Sequence, residues 1–361
     1  MCSSDLAPTD LSQIQGHTES AWRNLAQLIT ALEAQPDQAE TLAALTSLQA
    51  GRHAPVVGIT GTGGAGKSSL TDELLRRFRL DYDDTLKIAI ISIDPSRRKS
   101  GGALLGDRIR MNAIHHPNIY MRSLATRDAG SEISKALPDV IAACKVAGFD
   151  LIIVETSGIG QGDAAIVPFV DTSLYVMTPE FGAASQLEKI DMLDFADVVA
   201  INKFDRKGAK DALRDVSKQV QRNREAFMQA PETMPVFGTI AARFNDDGVT
   251  ALYQHLKQTL ADKGLQTVAS GKLPTVAVRC SSQQSTIVPP HRVRYLAEIA
   301  DGVRGYHRHV EVQAGYARQR QQLQAAAELL QKKGKSSADV EALLTEADHH
   351  LNAESKQLLA R

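Results

Sequence analysis

Residues 61–68 read GTGGAGKS and match the pattern G-x-x-x-x-G-K-[ST] in full. They follow an apolar β-type run at residues 56–59 and precede a helix-type run, which is the setting that a phosphate-binding loop requires. Glycines let backbone N–H groups turn inward around phosphate oxygens, and the helix start adds the positive end of its dipole. In this interpretation Lys67 reaches the β- and γ-phosphates and Ser68 ligates Mg²⁺.

The alternative interpretation of this phosphate loop (residues 61–68) is a glycine-rich turn with no ligand, which the complete motif disfavours. We therefore expect the loop and the residue after it to contact a nucleotide. The residues concerned are Gly61, Gly63, Gly64, Ala65, Gly66, Lys67, Ser68 and Ser69.

Acidic residues end two other apolar β-type runs, at Asp94 and at Glu155. A buried carboxylate is costly unless it meets a cation or a donor, and Mg²⁺ supplies a cation. Glu155 is soon followed by Gly158, whose N–H is suited to sense a γ-phosphate, and by Gln161, a candidate for positioning the attacking water. We therefore predict catalytic roles for Lys67, Glu155 and Gln161.

Residues 202–205, the guanine motif, read NKFD and follow a further apolar run. The Asp205 carboxylate can accept from both N1–H and the 2-amino group of guanine. Adenine has an acceptor at N1 and no 2-amino group, so it would leave that carboxylate unpaired. Asn202 and the stem of Lys203 are expected to hold the loop and cover the base. The motif therefore selects guanine.

A later stretch, the base loop (residues 237–242, FGTIAA), stands where a backbone N–H contact to the guanine carbonyl is expected. The alternative is an ordinary strand-end loop. The match to a known pattern is loose, so the sequence leaves both interpretations open.

Strand-like and helix-like stretches alternate between residues 55 and 263, which favours a parallel sheet with helices on both faces. The chemical motifs follow the strands, and ligands of such sheets sit at the carboxyl ends of the strands. The fold class is therefore α/β, a P-loop NTPase with a mostly parallel sheet between helices, flanked by helical linker segments. The predicted strands are residues 55–60, 87–93, 118–124, 150–155, 172–178, 197–202 and 234–240.

Composition excludes several classes of function. The 361 residues carry a net charge of −1, which disfavours nucleic acid as a bulk electrostatic partner. The three cysteines are scattered without metal-ligand spacing, which suggests a reducing, cytoplasmic setting. No apolar run approaches membrane-spanning length, so we expect no membrane association.

The flanks are helical by pattern, and we divide the chain into helical residues 1–54, a GTPase domain over 55–265 and a helical linker or docking region over 266–361. Within the last region, residues 274–280 are a candidate strand, 293–331 a long helix and 336–361 another helix. Residues 1–6 can be spelled by a common sequencing-adaptor end, and the last residues stop inside a helical pattern. We therefore expect both ends to be cut points.

With these motifs in place, residues 55–260 resemble the GTPases that serve adenosylcobalamin-dependent acyl-CoA mutases, the methylmalonyl-CoA mutase-associated chaperone family. The blocks that carry the resemblance are DPS at 94–96, GGALLGDRIRM at 101–111 and VETSGIGQ at 154–161. The details are closer to the fused branch, isobutyryl-CoA mutase, because Arg97 stands where stand-alone members usually carry a second serine.

The resemblance implies GTP or GDP as the nucleotide and Mg²⁺ as the metal. It implies a nucleotide contact at Arg110 and a further switch loop at Lys189 that faces a partner. The basic residues 97–99 would by composition alone be a solvated face, but they lie on the loop expected to face the triphosphate, which favours a switch segment. The metal contacts that it implies are Ser68, Asp94, Asp107, Glu155 and Thr156.

The expected function is GTP hydrolysis that gates adenosylcobalamin loading or release on an acyl-CoA mutase. The partners would be mutase and cobalamin-binding domains of the same parent chain or of a partner protein, with a homodimer as a further option. No Asp-x-His-x-x-Gly cobalamin motif occurs among the ten histidines, so adenosylcobalamin would enter only through a partner or missing domain. The alternatives are a stand-alone mutase-associated GTPase, a P-loop kinase acting on a small metabolite, and a nonhydrolytic scaffold.

Overall fold

Seven strands form one parallel sheet in the computed structural model of the protein. The structure describes residues 10–34, 39–49, 51, 53–94, 111–126, 133–158, 163–182, 187–188, 190–266, 271–282 and 295–360. The strands are β1 (Val56–Gly61), β2 (Ile88–Asp94), β3 (Ile119–Ala125), β4 (Leu151–Thr156), β5 (Thr172–Met177), β6 (Val198–Asn202) and β7 (Val236–Thr239). All seven were predicted to within two residues at either end, and the α/β class is confirmed.

The strand order is β3-β2-β4-β1-β5-β6-β7, with every neighbouring pair parallel. Parallel sheets are covered on both faces, so their strands are apolar throughout rather than alternating. β2 illustrates this, because all seven of its residues are buried. The chain runs from β1 outward to β3 on one side and later crosses to β5 on the other, so the direction of winding reverses at β1.

Helices cover both faces of this sheet. In chain order they are α1 (Glu19–Ala34), α2 (Ala39–Gln49), α3 (Lys67–Asp81), α4 (Leu137–Ala147), α5 (Met192–Phe195), α6 (Ala209–Asn223) and α7 (Asp247–Asp262). Helices α3 and α7 pack on one face, where Phe78 and Tyr253 join Ile88 and Ile90 in one core cluster. The opposite face is covered by α1, α2 and α4 near β2 and by α5 and α6 near β6.

The N-terminal helices are part of the sheet's core. On α1 the buried side chains Leu25, Leu28 and Ile29 recur at helical spacing and pack in the same cluster as Ile91 of β2. The chain divides into two compact units, Met1–Ser285 and Thr286–Arg361, so these helices belong to the first unit. The boundaries suggested at residues 54 and 265 stay predictions about how the chain divides by function.

The strand predicted over residues 274–280 does not form. Cys280 makes one isolated parallel bridge to Gly238, and two backbone groups earlier in the segment bond to a side chain instead. Gln254 of α7 donates to the Pro274 carbonyl at 2.8 Å and accepts from the Val276 N–H at 3.2 Å. A β-ladder does not form at these residues because the side chain of Gln254 takes up their backbone groups. Pro274 also has no N–H to contribute to a ladder.

Asp81, at the end of α3, anchors the same segment. Its carboxylate, 5% exposed, accepts from Tyr253 at 2.7 Å, from Lys257 at 2.6 Å and from the Leu273 N–H at 3.1 Å. Burial opposes ionisation of Asp81, but these bonds outweigh it and hold its pKa below the ordinary value.

The second unit contains α8 (Tyr295–Lys332), α9 (Ala338–His350) and α10 (Ala353–Leu359). The long helix agrees with its prediction, whereas the single helix predicted over 336–361 is wrong. Asn352 interrupts it by accepting from the Ser355 N–H at 2.7 Å, which starts a new helix. Neither α8 nor any other helix in the described ranges is long and apolar enough to cross a membrane.

We predict that Asp81→Asn lowers the free energy of unfolding at pH 7 by about 2 kcal/mol, because a buried charged acceptor is lost. The folded carboxyl has the lower pKa, so its contribution is present above the unfolded pKa of about 3.9 and is lost as the pH falls through the folded value. Urea unfolding at pH 7 and near pH 3 should therefore show a smaller deficit in acid.

The matched control is Asp83→Asn. The Asp83 side chain is 74% exposed and pairs with Lys272 at the surface, so its loss should cost at most about 0.5 kcal/mol. Equal losses from the two variants would contradict the anchoring role of Asp81.

Candidate functional site

The phosphate loop leaves the sheet where its winding reverses. β1 lies between β4 and β5, and the loop runs from the end of β1 into α3. Gly61 has φ +141°, and a Cβ there would lie 1.9 Å from the Val176 carbonyl oxygen. Gly66 has φ +90° just before α3, and a Cβ there would lie 2.6 Å from Asn202 Nδ2. Both conformations and both contacts require glycine, as a phosphate loop does.

Lys67 is folded into the mouth of this loop. Its ammonium donates to the carbonyls of Gly61 at 2.7 Å and Thr62 at 3.2 Å, and the residue is 6% exposed. Gly158 closes the other side, because a Cβ on it would lie 2.1 Å from Lys67 Nζ and 2.1 Å from the Gly61 oxygen. Gly158 therefore lies against the phosphate loop, and its role as a γ-phosphate sensor stays a prediction.

Glu155, the next-to-last residue of β4, accepts hydrogen bonds from two hydroxyl groups of α3. Ser68 donates to its Oε1 at 2.6 Å, and Thr71 donates to its Oε2 at 2.9 Å. Glu155 is 2% exposed, so these bonds compensate for burying a carboxylate. A cavity of about 300 Å³ opens beside them, lined by Gly64, Gly66, Lys67, Ser68, Ser69, Glu155, Thr156 and Ser157.

Two more predicted metal contacts lie at neighbouring strand ends. Asp94 ends β2 and is 4% exposed. Thr156 ends β4, and its hydroxyl donates to the Thr60 hydroxyl at 2.9 Å. In the described ranges no group of three or more histidine, cysteine, aspartate or glutamate residues is arranged to hold a metal ion, and Asp107 lies outside those ranges.

Asn202, the first residue of the guanine motif, connects three loops. Its Nδ2 donates to the Ala65 carbonyl in the phosphate loop at 2.8 Å. Its Oδ1 accepts from the Thr239 hydroxyl at 3.2 Å and from the Ala241 N–H at 3.1 Å, both in the base loop. Lys203, with φ +59°, donates from Nζ to the Gly64 carbonyl at 2.7 Å. Asp205 is exposed.

The structure thus brings together the phosphate loop, Glu155, Gly158 and the guanine motif. Several predicted site residues lie outside the described ranges and stay predictions: Gln161, Arg110, Asp107, Lys189 and residues 97–99. Sequence reasoning missed Thr71, although it stands three positions after Ser68 on a helix and therefore on the same face. It also missed Thr60, for which no pattern in the sequence gave a signal.

A family model described as "Methylmalonyl Co-A mutase-associated GTPase MeaB" matches residues 25–277. The chain belongs to the MeaB family. The match begins at Leu25 within α1, so it includes the rest of α1 and all of α2, which pack on the sheet. The MeaB family is a family of P-loop GTPases, in agreement with the strand order and the loop geometry described above.

Curated relatives of this MeaB-family chain include two proteins named fused isobutyryl-CoA mutase. The protein of Cupriavidus metallidurans is 66% identical over 99% of the chain, and that of Paraburkholderia xenovorans is 63% identical over 88%. The chain spans 33% and 25% of their respective lengths. A solved structure of LAO/AO transport system kinase is 19% identical with a TM-score of 0.48, covering 93% of this chain and 95% of that one.

We predict that Gly158→Ala lowers nucleotide affinity more than about tenfold, because its methyl group would displace Lys67 and the Gly61 carbonyl. The matched control is Gly148→Ala, at φ +88°, where the nearest atom to a new Cβ is 4.0 Å away. Both variants should lose about 1–2 kcal/mol of stability from the left-handed backbone. Titration with fluorescent GDP measures affinity, and equal affinities in the two variants would contradict the placement of Gly158.

Proposed function

We propose that this MeaB-family chain binds GTP across the phosphate loop and the guanine motif and hydrolyses it with Mg²⁺. The observation that carries the proposal is the attachment of Asn202 and Lys203 to the carbonyls of Ala65 and Gly64. These bonds support the proposal because they tie the guanine motif, which would select the base, to the phosphate loop, which would hold the phosphates. A nucleoside triphosphate has this same order of base and phosphates.

The donor set beside the phosphate loop fits Mg²⁺, which prefers oxygen ligands. Ser68 and Glu155 lie within hydrogen-bond distance of each other at the rim of the cavity, and Asp94 is buried at the next strand end. We assign the metal to Ser68, Asp94 and Glu155, together with Asp107 and Thr156. When bound, Mg²⁺ neutralises charge on the β- and γ-phosphate oxygens.

The chain's own residues would supply the remaining steps. The Lys67 ammonium, held at the loop mouth, transfers from backbone carbonyls to phosphate oxygens. The N–H of Gly158, a residue on which an added Cβ would lie 2.1 Å from Lys67 Nζ, reports the presence of the γ-phosphate. Glu155 fixes the Ser68 hydroxyl, and Gln161 orients the attacking water.

We further propose that hydrolysis gates adenosylcobalamin loading or release on an acyl-CoA mutase. Relatives named fused isobutyryl-CoA mutase support this, because the chain matches a part of proteins whose names carry a mutase activity. The full-length parent would then interconvert isobutyryl-CoA and n-butyryl-CoA. Its cobalamin-binding and mutase domains are the proposed partners, and a homodimer is a further proposal.

Two other functions are less well supported. A stand-alone mutase-associated GTPase would share the same nucleotide site, but the curated relatives at 66% and 63% identity carry the fused name. A P-loop kinase for a small metabolite would not need a guanine motif fastened to the phosphate loop.

The guanine assignment predicts that Asp205→Asn weakens GTP binding about a hundredfold and gains affinity for xanthosine triphosphate, whose 2-oxo group suits an amide donor. Competition binding of GTP, ATP and XTP measures both effects, and Mg²⁺-dependent phosphate release tests hydrolysis on the same preparation. The control is Asp211→Asn on α6, whose side chain is 73% exposed. Equal affinity of the unaltered chain for ATP and GTP would disprove the assignment.

The gating proposal predicts that the mutase and cobalamin-binding domains accelerate GTP turnover, and that Lys189→Ala reduces this response more than the basal rate. Loss of a tenfold partner-dependent acceleration corresponds to about 1.4 kcal/mol of barrier stabilisation. GTP turnover is measured with and without the partner domains. A reduction of both rates by the same factor would place Lys189 in the nucleotide site instead.

A further inference from the structure

The carboxylate of Asp246, just before α7, is 1% exposed and joins three segments of the chain. Its Oδ2 accepts from the Val249 N–H at 2.9 Å, which caps the helix, and from the Ile240 N–H at 3.1 Å. Its Oδ1 accepts from the Ser281 hydroxyl at 2.6 Å. The bond from the Val249 N–H is enough to cap the helix. The bonds from Ile240 and Ser281 are additional and connect Asp246 to two other segments.

One of these bonds fixes the base loop. Ile240 lies between Thr239 and Ala241, which both donate to Asn202 Oδ1. Consecutive residues of the base loop are therefore held from two sides, by Asn202 of the guanine motif and by Asp246. Asp246 thus supports the loop that is expected to meet the guanine carbonyl.

The backbone of Asp246 is fixed in turn by the helix that starts at the phosphate loop. Arg77 of α3, 3% exposed, donates to the Asp246 carbonyl at 2.9 Å and to the Thr250 hydroxyl at 3.1 Å. Glu73 on the same helix pairs with this guanidinium at 2.7 Å. The backbone of Asp246, whose carboxylate supports the base loop, is therefore held in place by α3.

The third bond comes from a strap (residues 279–282) that lies beside the edge strand β7 and makes one parallel bridge to it, from Cys280 to Gly238. The Gly238 N–H donates to the Arg279 carbonyl at 3.0 Å, and the Ser281 N–H donates to the Gly238 carbonyl at 2.9 Å. There is little clearance beneath it, because a Cβ on Gly248 would lie 2.6 Å from the Ser281 nitrogen. A second hydroxyl of the strap, that of Ser282, donates to the carboxylate of Asp247.

Removing the Ser281 hydroxyl would leave a buried carboxylate oxygen without that donor. Burial raises the pKa of the Asp246 carboxyl above its ordinary value, and the bonds from Ser281, Ile240 and Val249 oppose the rise. An under-solvated carboxylate is costly, so in the variant the carboxylate would turn toward water, and that rotation would lengthen the bond from the Ile240 N–H to Oδ2.

Resting on the proposed function, we propose that Asp246 is a positioning residue for guanine and that the Ser281 hydroxyl, by seating the strap on it, sets how long a guanine nucleotide stays bound. The strap is joined to the base loop in two ways, by its backbone bonds to Gly238 and by the Ser281 hydroxyl on Asp246. Only the second of these reaches the carboxylate that holds the Ile240 N–H.

The test compares Ser281→Ala with the matched control Ser282→Ala in the full chain. Each variant removes one strap hydroxyl from one aspartate, but only Asp246 holds the base loop. We expect Ser281→Ala to speed release of fluorescent GDP about tenfold and to reduce the preference for GDP over ADP by a similar factor. Ser282→Ala should change both by less than about twofold, and Ser281→Thr, which keeps the hydroxyl, should restore both.

The ratio of GDP to ADP affinity separates positioning from general loss of stability, because a merely destabilised protein would lose both nucleotides alike. A guanine-selective wild type whose Ser281→Ala variant keeps its release rate and selectivity would overturn this inference alone. A similar change in both alanine variants would also overturn it, since the strap would then act as a whole. A wild type without guanine preference would overturn the proposed function and this inference together.

Discussion

The amide of Asn202 sets how far apart the phosphate loop and the base loop lie. One side chain at the end of β6 donates to the phosphate loop and accepts from the base loop, so its length fixes the spacing of the two loops. This works because β1, β6 and β7 are parallel and end at the same edge of one sheet. Because Asn202 is 2% exposed, water does not compete for these bonds.

Helix α3 transmits that arrangement through the domain. Its first turns present Lys67, Ser68 and Thr71 to the phosphate subsite and Glu155, and its later turns present Arg77 to the start of α7. A helix is stiff along its axis, so groups at its two ends keep a constant separation. The phosphate loop and Asp246, which supports the base loop, are therefore both fixed by the same helix.

The sequence predicted the sheet and the main motifs because both depend on local patterns. β2 is a continuous apolar run, and the phosphate loop and guanine motif are contiguous. The strand predicted over residues 274–280 from apolar residues is wrong. Gln254, about twenty residues earlier in the sequence, supplies backbone partners there instead. The Asp246 network could not be predicted for the same reason, since Arg77 and Ser281 are distant in the chain and no motif relates them.

The packing of α1 and α2 bears on how such a GTPase can be moved between proteins. Arg122 and the Ala125 N–H of the edge strand β3 both bond to Glu33 of α1, and the buried face of α1 adjoins the core. A module excised at residue 54 would expose this core and the flank of β3, inviting aggregation along the sheet edge. The portable module is therefore larger than its nucleotide motifs, and recombination between genes would have to carry both helices with it.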